Sequence, residues 1–170
     1  MIDVFSDAWI VSALAGLVGL MIGSFLNVCT LRWPEDESVV FPGSHCPKCG
    51  EPIRWYDHVP VLGYVLLRGR CRACREPISL QYPLVELATG LVWTGMFSYA
   101  GLSFEALRGT LLLTILFGIA LTDARFYIIP DQFSLGGLVL GLGLAFLPGG
   151  IDALDALIGA IVGFGLLESV

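Results

Sequence analysis

Apolar positions fall into five runs, at 8–31, 83–102, 107–122, 133–147 and from 151 onward, and one polar stretch at 32–80 interrupts them. The first run, AWIVSALAGLVGLMIGSFLNVCTL, has Asn27 as its one strongly polar residue and is 24 residues long. A bilayer needs about 20 apolar residues in a helix, so this run predicts a membrane span. Ala15, Gly19 and Gly23 recur every four positions on one helix face, which predicts close packing against another helix. The second run carries Glu86 near its start; the third and fourth are short for spans. The whole reads as an all-α polytopic membrane protein: a first transmembrane helix at 1–31, a compact insert at 32–82, and helices two to five at 83–170.

Composition supports the reading. The chain is 56% hydrophobic and 14% charged, with a mean hydropathy of +0.81, against about 25% charged residues in a soluble domain. The N-terminus, MIDVFSD, has no Lys or Arg, unlike a cleavable signal peptide. The net charge of -6 is dispersed, so nucleic acid is not an expected partner.

The insert holds seven of the nine Lys and Arg residues and four of the five Cys. Short loops rich in Lys and Arg face the cytoplasm. The insert is therefore expected inside, the N-terminus outside (periplasmic), the 123–132 turn inside with Arg125, and the 148–150 turn outside. Arg108, beside an outer turn, departs from the rule.

The words CPKC (Cys46, Cys49) and CRAC (Cys71, Cys74) stand 21 residues apart. Two C-x2-C knuckles at this spacing predict a zinc-ribbon-like site with four thiolates on one ion. Four protein ligands make it structural. Gly50 suits the tight turn of the first knuckle, and the similar words GEPI and REPI predict two pseudo-symmetric hairpins. Two disulfides, disfavoured in a reducing compartment, or free thiols are the alternatives. His45 and His58 read as solvated, and Cys29 as a packed small residue.

Three acids mark the ends of apolar runs. Glu86 suits a helix start, where a carboxylate complements the dipole, or a functional site; both stay open. Asp131, after Pro130, reads as the N-cap of the fourth helix. Asp123 ends the third run, where the dipole disfavours an anion, and Arg125 is too near in sequence to pair with it on a helix. Such a carboxylate suits one half of a water-activating pair. A proton-coupled carrier using Asp123 and Glu86, or an ion site, would need the same residue, and a non-enzymatic scaffold docking a partner through its zinc ribbon is a further alternative.

These words together resemble the type IV prepilin peptidases of bacterial inner membranes. GSFLNVCTLRWP (23–34) is similar to the family's opening motif, residues 46–90 to its cysteine domain, and LTDARFYIIPD (121–131) to its first aspartate motif. The resemblance implies cleavage of the basic leader of type IV prepilins and type II secretion pseudopilins at the cytoplasmic face. N-methylation of the new N-terminus with S-adenosylmethionine would follow. It implies Asp123 as the first catalytic aspartate, Asp131 as non-catalytic, and Cys46, Cys49, Cys71 and Cys74 as zinc ligands. The cofactor-binding residues are not readable; Gly23 and Asn27 read first as packing residues. The family's second aspartate lies in a GxGD word, but here Leu166 follows Gly163-Phe164-Gly165. The chain is thus expected to be C-terminally truncated, and residues 1–170 alone are expected not to hydrolyse a prepilin.

Overall fold

The computed structural model describes the backbone of residues 3–168 and the side chains of residues 8–163. The GxGL word therefore lies, beyond Gly163, outside the described side chains. Six helices follow in order: α1 (Asp3–Arg32), a short α2 (Leu62–Leu66), α3 (Gln81–Ala100), α4 (Phe104–Phe126), α5 (Asp131–Ala145) and α6 (Ala153–Glu168). No strand occurs among the described residues, and two single-turn 3-10 helices lie at Trp33–Glu35 and Trp55–His58. The chain is all-α, with its cysteine insert between the first and second long helices.

The stretch Ala8–Glu35 and helix α4 are long and apolar enough to cross a membrane, and Asp131–Ala145 and Ala153–Gly163 are apolar but shorter. The third apolar run is longer than its composition suggests. Ser103 caps α4 by accepting from the Ala106 N–H at 3.1 Å, and the helix continues through Asp123 and Arg125 to Phe126. Tyr127 ends it in the left-handed conformation (φ 58°), its N–H returning to the Asp123 carbonyl.

Helices α1 and α3 pack antiparallel along a glycine seam. A Cβ at Gly19 would stand 2.7 Å from the Trp93 Cβ and 2.9 Å from the Thr89 carbonyl oxygen; one at Gly23 would stand 2.8 Å from the Glu86 Cα. Gly90 returns the favour toward Leu20 and the Gly16 carbonyl. The small-residue stripe thus does what its spacing predicts, with α3 as partner. Helix α4 joins through Trp93 Nε1, which donates to Thr114 Oγ1 at 3.1 Å. Thr89, Thr94, Thr110, Thr114 and Thr122 each return a hydroxyl proton to a carbonyl four residues earlier. Hydroxyls satisfied within their own helix cost little in an apolar setting. At the other end of the seam, Phe133 of α5 tucks beneath Gly118 and stacks edge-on against Trp33 with ring centroids 4.7 Å apart.

Two expectations are corrected. Asp131 is not the N-cap of α5. Pro130, with extended ψ of 139°, holds that place, and its carbonyl accepts from Phe133 and Ser134. Asp131 is the first helical residue; its charge complements the dipole but caps no N–H. Glu86 does not lie in the first turn of α3, because that helix begins at Gln81. The exception at Arg108 also has a local cause. Its Nη2 donates to the carbonyls of Leu144 (3.2 Å) and Pro148 (3.1 Å) at the C-terminal end of α5. There a cation satisfies orphan carbonyls.

The seam gives a prediction. Gly23→Leu should lower the stability of the protein in detergent by about 1–3 kcal/mol, the usual penalty of overpacking, whereas Gly43→Leu should not, since nothing lies within 4 Å of that position. Thermal unfolding of both variants tests it.

Candidate functional site

The cysteine module is two copies of one knuckle. In the first, the Cys46 N–H donates to the Glu51 carbonyl (2.9 Å) and the Gly50 N–H to the Cys46 carbonyl (2.9 Å). In the second, the Cys71 N–H donates to the Glu76 carbonyl (2.8 Å) and the Arg75 N–H to the Cys71 carbonyl (3.1 Å). Each closes with one antiparallel bridge, His45 to Pro52 and Arg70 to Pro77. The pseudo-symmetry extends to the backbone: Gly50 has φ 72° and Arg75, its counterpart, φ 63°. Glycine is therefore favoured but not obligatory at this turn.

The knuckles bring all four sulfurs within 4.8 Å of one another, with Cys46 to Cys74 at 3.8 Å and Cys49 to Cys71 at 4.0 Å. None of the four is in a disulfide. Tetrahedral zinc with Zn–S near 2.3 Å places its sulfurs roughly 3.8 Å apart, so the set has the spacing such an ion needs. The Cys71 thiol is drawn down to about 7, first by the Cys74 N–H and then by that of Ala73. Cys74 is pushed up to about 12: the Glu76 N–H pulls it down, but desolvation and the neighbouring thiols outweigh it. Four thiolates at this spacing would repel one another, so holding all four ionised requires a cation between them. His45 and His58 are exposed and stand outside the set.

Arg72 grips Asp57 with two bonds, Nε to Oδ2 at 2.8 Å and Nη2 to Oδ1 at 2.6 Å. This fork holds the Asp57 carboxyl below the usual carboxylate range, and it ties the Trp55–His58 turn to the second knuckle. The module is then fixed to the long helices by Glu86. That side chain, 7% exposed, accepts the Val61 N–H on Oε2 at 2.7 Å. Val61 has φ 63°, a conformation β-branched residues rarely adopt, so the acceptor holds a strained turn in place. Asn27 acts from the opposite helix: its Nδ2 donates to the carbonyls of Gly23 (3.3 Å) and Tyr82 (3.1 Å), while its Oδ1 is buried without a partner. Asn27 and Gly23 are thus seam residues. Cys29 is buried among Leu26, Val85 and Phe133, as its sequence context predicts.

Between module and helix ends lies a cleft of about 1100 Å3, bordered by Arg32, Tyr64, Tyr82, Glu86, Arg125 and Phe126. Asp123 is exposed one turn from the end of α4, three residues before Phe126, and is not itself among the residues that border the cleft. No ion pair to Asp123 occurs among the described residues; the Arg125 guanidinium lies over the Phe126 ring at 5.3 Å instead. The arrangement brings the four cysteines together and leaves Asp123 unpaired at the helix end. Asp131 stays apart in sequence position, on the next helix. The Asp57–Arg72 fork and the Val61 contact had no signal in the sequence beyond a carboxylate, Glu86, inside an apolar run.

The class so defined is a helical protein with long apolar segments, a four-cysteine module whose thiols could hold a metal ion, and an uncommitted aspartate at the end of α4. Residues 17–100 match the Bacterial Peptidase A24 N-terminal domain, and residues 110–170 match the Type IV leader peptidase family. Three proteins, each named prepilin leader peptidase/N-methyltransferase, are similar to it. That of Klebsiella pneumoniae is 40% identical over 164 residues, covering 91% of this chain and 70% of its own. That of Myxococcus xanthus strain DK1622 is 44% identical over 149 residues, 87% of this chain and 44% of its own. That of Neisseria gonorrhoeae is 35% identical over 178 residues, 91% and 62%. The chain belongs to the type IV leader peptidase family. It spans between about two fifths and seven tenths of the length of these relatives. No solved structure matches it.

Metal analysis of the purified protein should find about one zinc ion per chain, the number four thiolates saturate. Cys71→Ser should lose it, and an unchanged zinc content would exclude this site.

Proposed function

We propose that this chain carries the first aspartate and the zinc module of a bacterial inner-membrane prepilin peptidase. The enzyme would cut the basic leader from type IV prepilins and type II secretion pseudopilins at the cytoplasmic face, then methylate the new N-terminal amine with S-adenosylmethionine. The observation that carries the reading is Asp123: an exposed, unpaired carboxylate at the end of apolar α4, three residues before Phe126, which borders a cleft that the cysteine module also lines.

In this reading Asp123 takes a proton from water as its oxygen bonds to the scissile carbonyl carbon. A second carboxylate, protonated because two acids in one site hold their pKa values apart, donates toward the peptide nitrogen as the C–N bond breaks. Residues 1–170 contain no GxGD word to supply that second carboxylate. Seven cations in the insert favour the cytoplasmic side, where a leader's junction with its apolar helix meets the membrane face. Asp131 serves as a helix-dipole partner and not in the chemistry. Zinc, held by Cys46, Cys49, Cys71 and Cys74, keeps the module folded and takes no part in the cut.

S-adenosylmethionine supplies a methyl group on a sulfonium. The cleft suits it: its volume reaches that of small-molecule sites, and Tyr82, Phe126, Glu35 and Glu37 border it. Aromatic faces and carboxylates accept a cation and a flat base. These residues would bind the cofactor and orient its methyl toward the freed amine.

Two experiments test the reading. In the full-length protein, Asp123→Asn should slow prepilin cleavage by about 10²–10⁴-fold, the usual worth of a general acid–base group, while Asp131→Asn retains processing. Normal cleavage by Asp123→Asn would refute the assignment. Phe126→Ala should weaken S-adenosylmethionine binding, measured calorimetrically, by roughly twofold to thirtyfold, the range of ~0.5–2 kcal/mol for a cation–π contact. Its zinc content should not change, and unaltered affinity would place the cofactor elsewhere.

A further inference from the structure

Helix α2 is short and two-faced. Gly63, Tyr64 and Leu67 turn inward and border the cleft. Leu62, Val65 and Leu66, at helical spacing on the other side, are 59%, 60% and 77% exposed. Three large aliphatic side chains in water on a five-residue helix are unfavourable. What covers them follows from depth.

The seam gives a ruler. Gly16 lies against Thr94, Gly19 against Trp93, Gly23 against Glu86, and Asn27 against Tyr82. Arg32 is the first charge on α1 after Asp7, and its guanidinium turns to the carbonyls of Ser38 and Pro42 in the segment that follows. Arg32 therefore marks where the α1 span leaves hydrocarbon. Gly23 and Glu86 lie nine residues further in, about 14 Å at 1.5 Å per residue. Helical side chains lean toward their own N-terminus, so Glu86 reaches outward along α3 to Val61. The start of α2 thus lies on the order of 10 Å inside the level of Arg32, the depth at which amphipathic helices rest in a leaflet. Arg68 and Arg70, both exposed, follow directly. Left-handed turns at Arg68 (φ 52°) and Gly69 (φ 65°) lead the chain back out. A basic collar above a sunken apolar face suits anionic headgroups over acyl chains.

We propose that the cysteine module is not suspended above the membrane but is wedged into the cytoplasmic leaflet by Leu62, Val65 and Leu66, with Arg68 and Arg70 at the headgroups. Glu86 is the anchor that sets this depth. The bilayer then seals the outer side of the cleft. The inference rests on α1 and α3 crossing a membrane, and goes beyond the assignment of Asp123.

A photo-crosslinking benzophenone side chain tests it, placed singly at positions 17, 48, 62 and 66 of the full-length protein in vesicles of phosphatidylglycerol and phosphatidylcholine. Leu17 faces outward in the middle of α1 and Lys48 is exposed at the zinc knuckle. Mass spectrometry should find lipid adducts at 62 and 66 at a level near that of 17 and several-fold above that of 48. Labelling at 17 with only the level of 48 at 62 and 66 overturns the wedge. So do adducts at 62 and 66 to a second copy or to a prepilin helix. Absence of lipid adducts at 17 overturns the underlying span as well. A zinc content matching the unmodified protein confirms that each substituted chain is folded; where position 66 fails that check, position 65 replaces it.

Discussion

At Gly19 even a methyl group would collide with Trp93 and the Thr89 carbonyl. That steric limit lets the axes of α1 and α3 approach at backbone distance, where many weak dispersion contacts sum and lipid cannot compete. Everything else is measured from this seam. It puts Asn27 opposite the first turn of α3, Glu86 opposite Gly23, and Trp93 where its indole N–H meets α4. A larger residue anywhere along it would shift α3 against α1 and move the module that α3 carries.

Polar groups inside this apolar frame act as fasteners between parts distant in sequence. Where water is scarce, an unpaired N–H or carbonyl is costly, so most are spent on a contact, the buried Asn27 Oδ1 being the exception. Threonine hydroxyls close on their own helices. Asn27 reaches the Tyr82 carbonyl across the seam, Arg108 closes the end of α5, and Glu86 takes the N–H of a strained Val61. The same logic makes Asp123 conspicuous, since it sits at a C-terminal helix end where the dipole disfavours an anion and no such contact uses it.

The cysteine module combines two kinds of constraint. Its internal shape comes from local turn geometry repeated after 25 residues, with the Asp57–Arg72 fork bracing one turn against the second knuckle. Its placement comes from the Glu86 contact and from Arg32 holding the loop that leaves α1. Together these set the module near the end of α4, and residues of both border the cleft between them.

Much of this was legible in the residues. Helices are local: a run of apolar residues bounded by Ser103, Gly101 or Pro130 states its own limits to within a few positions. The knuckles are local too, because each C-x2-C turn needs only its own hydrogen bonds, and the spacing of Ala15, Gly19 and Gly23 announced a packing face. Asp123 stood out as a charge in the wrong place for a helix dipole. The errors came where one residue decides between adjacent roles, as with Pro130 taking the cap from Asp131. The partner of the glycine face, the strained Val61 held by Glu86, the capping of α5 by Arg108 and the depth of α2 were decided only in three dimensions. Each depends on which distant segment arrives at a given height on a helix. Pairing at that range is set by the summed fit of whole surfaces, and no short stretch of sequence encodes it.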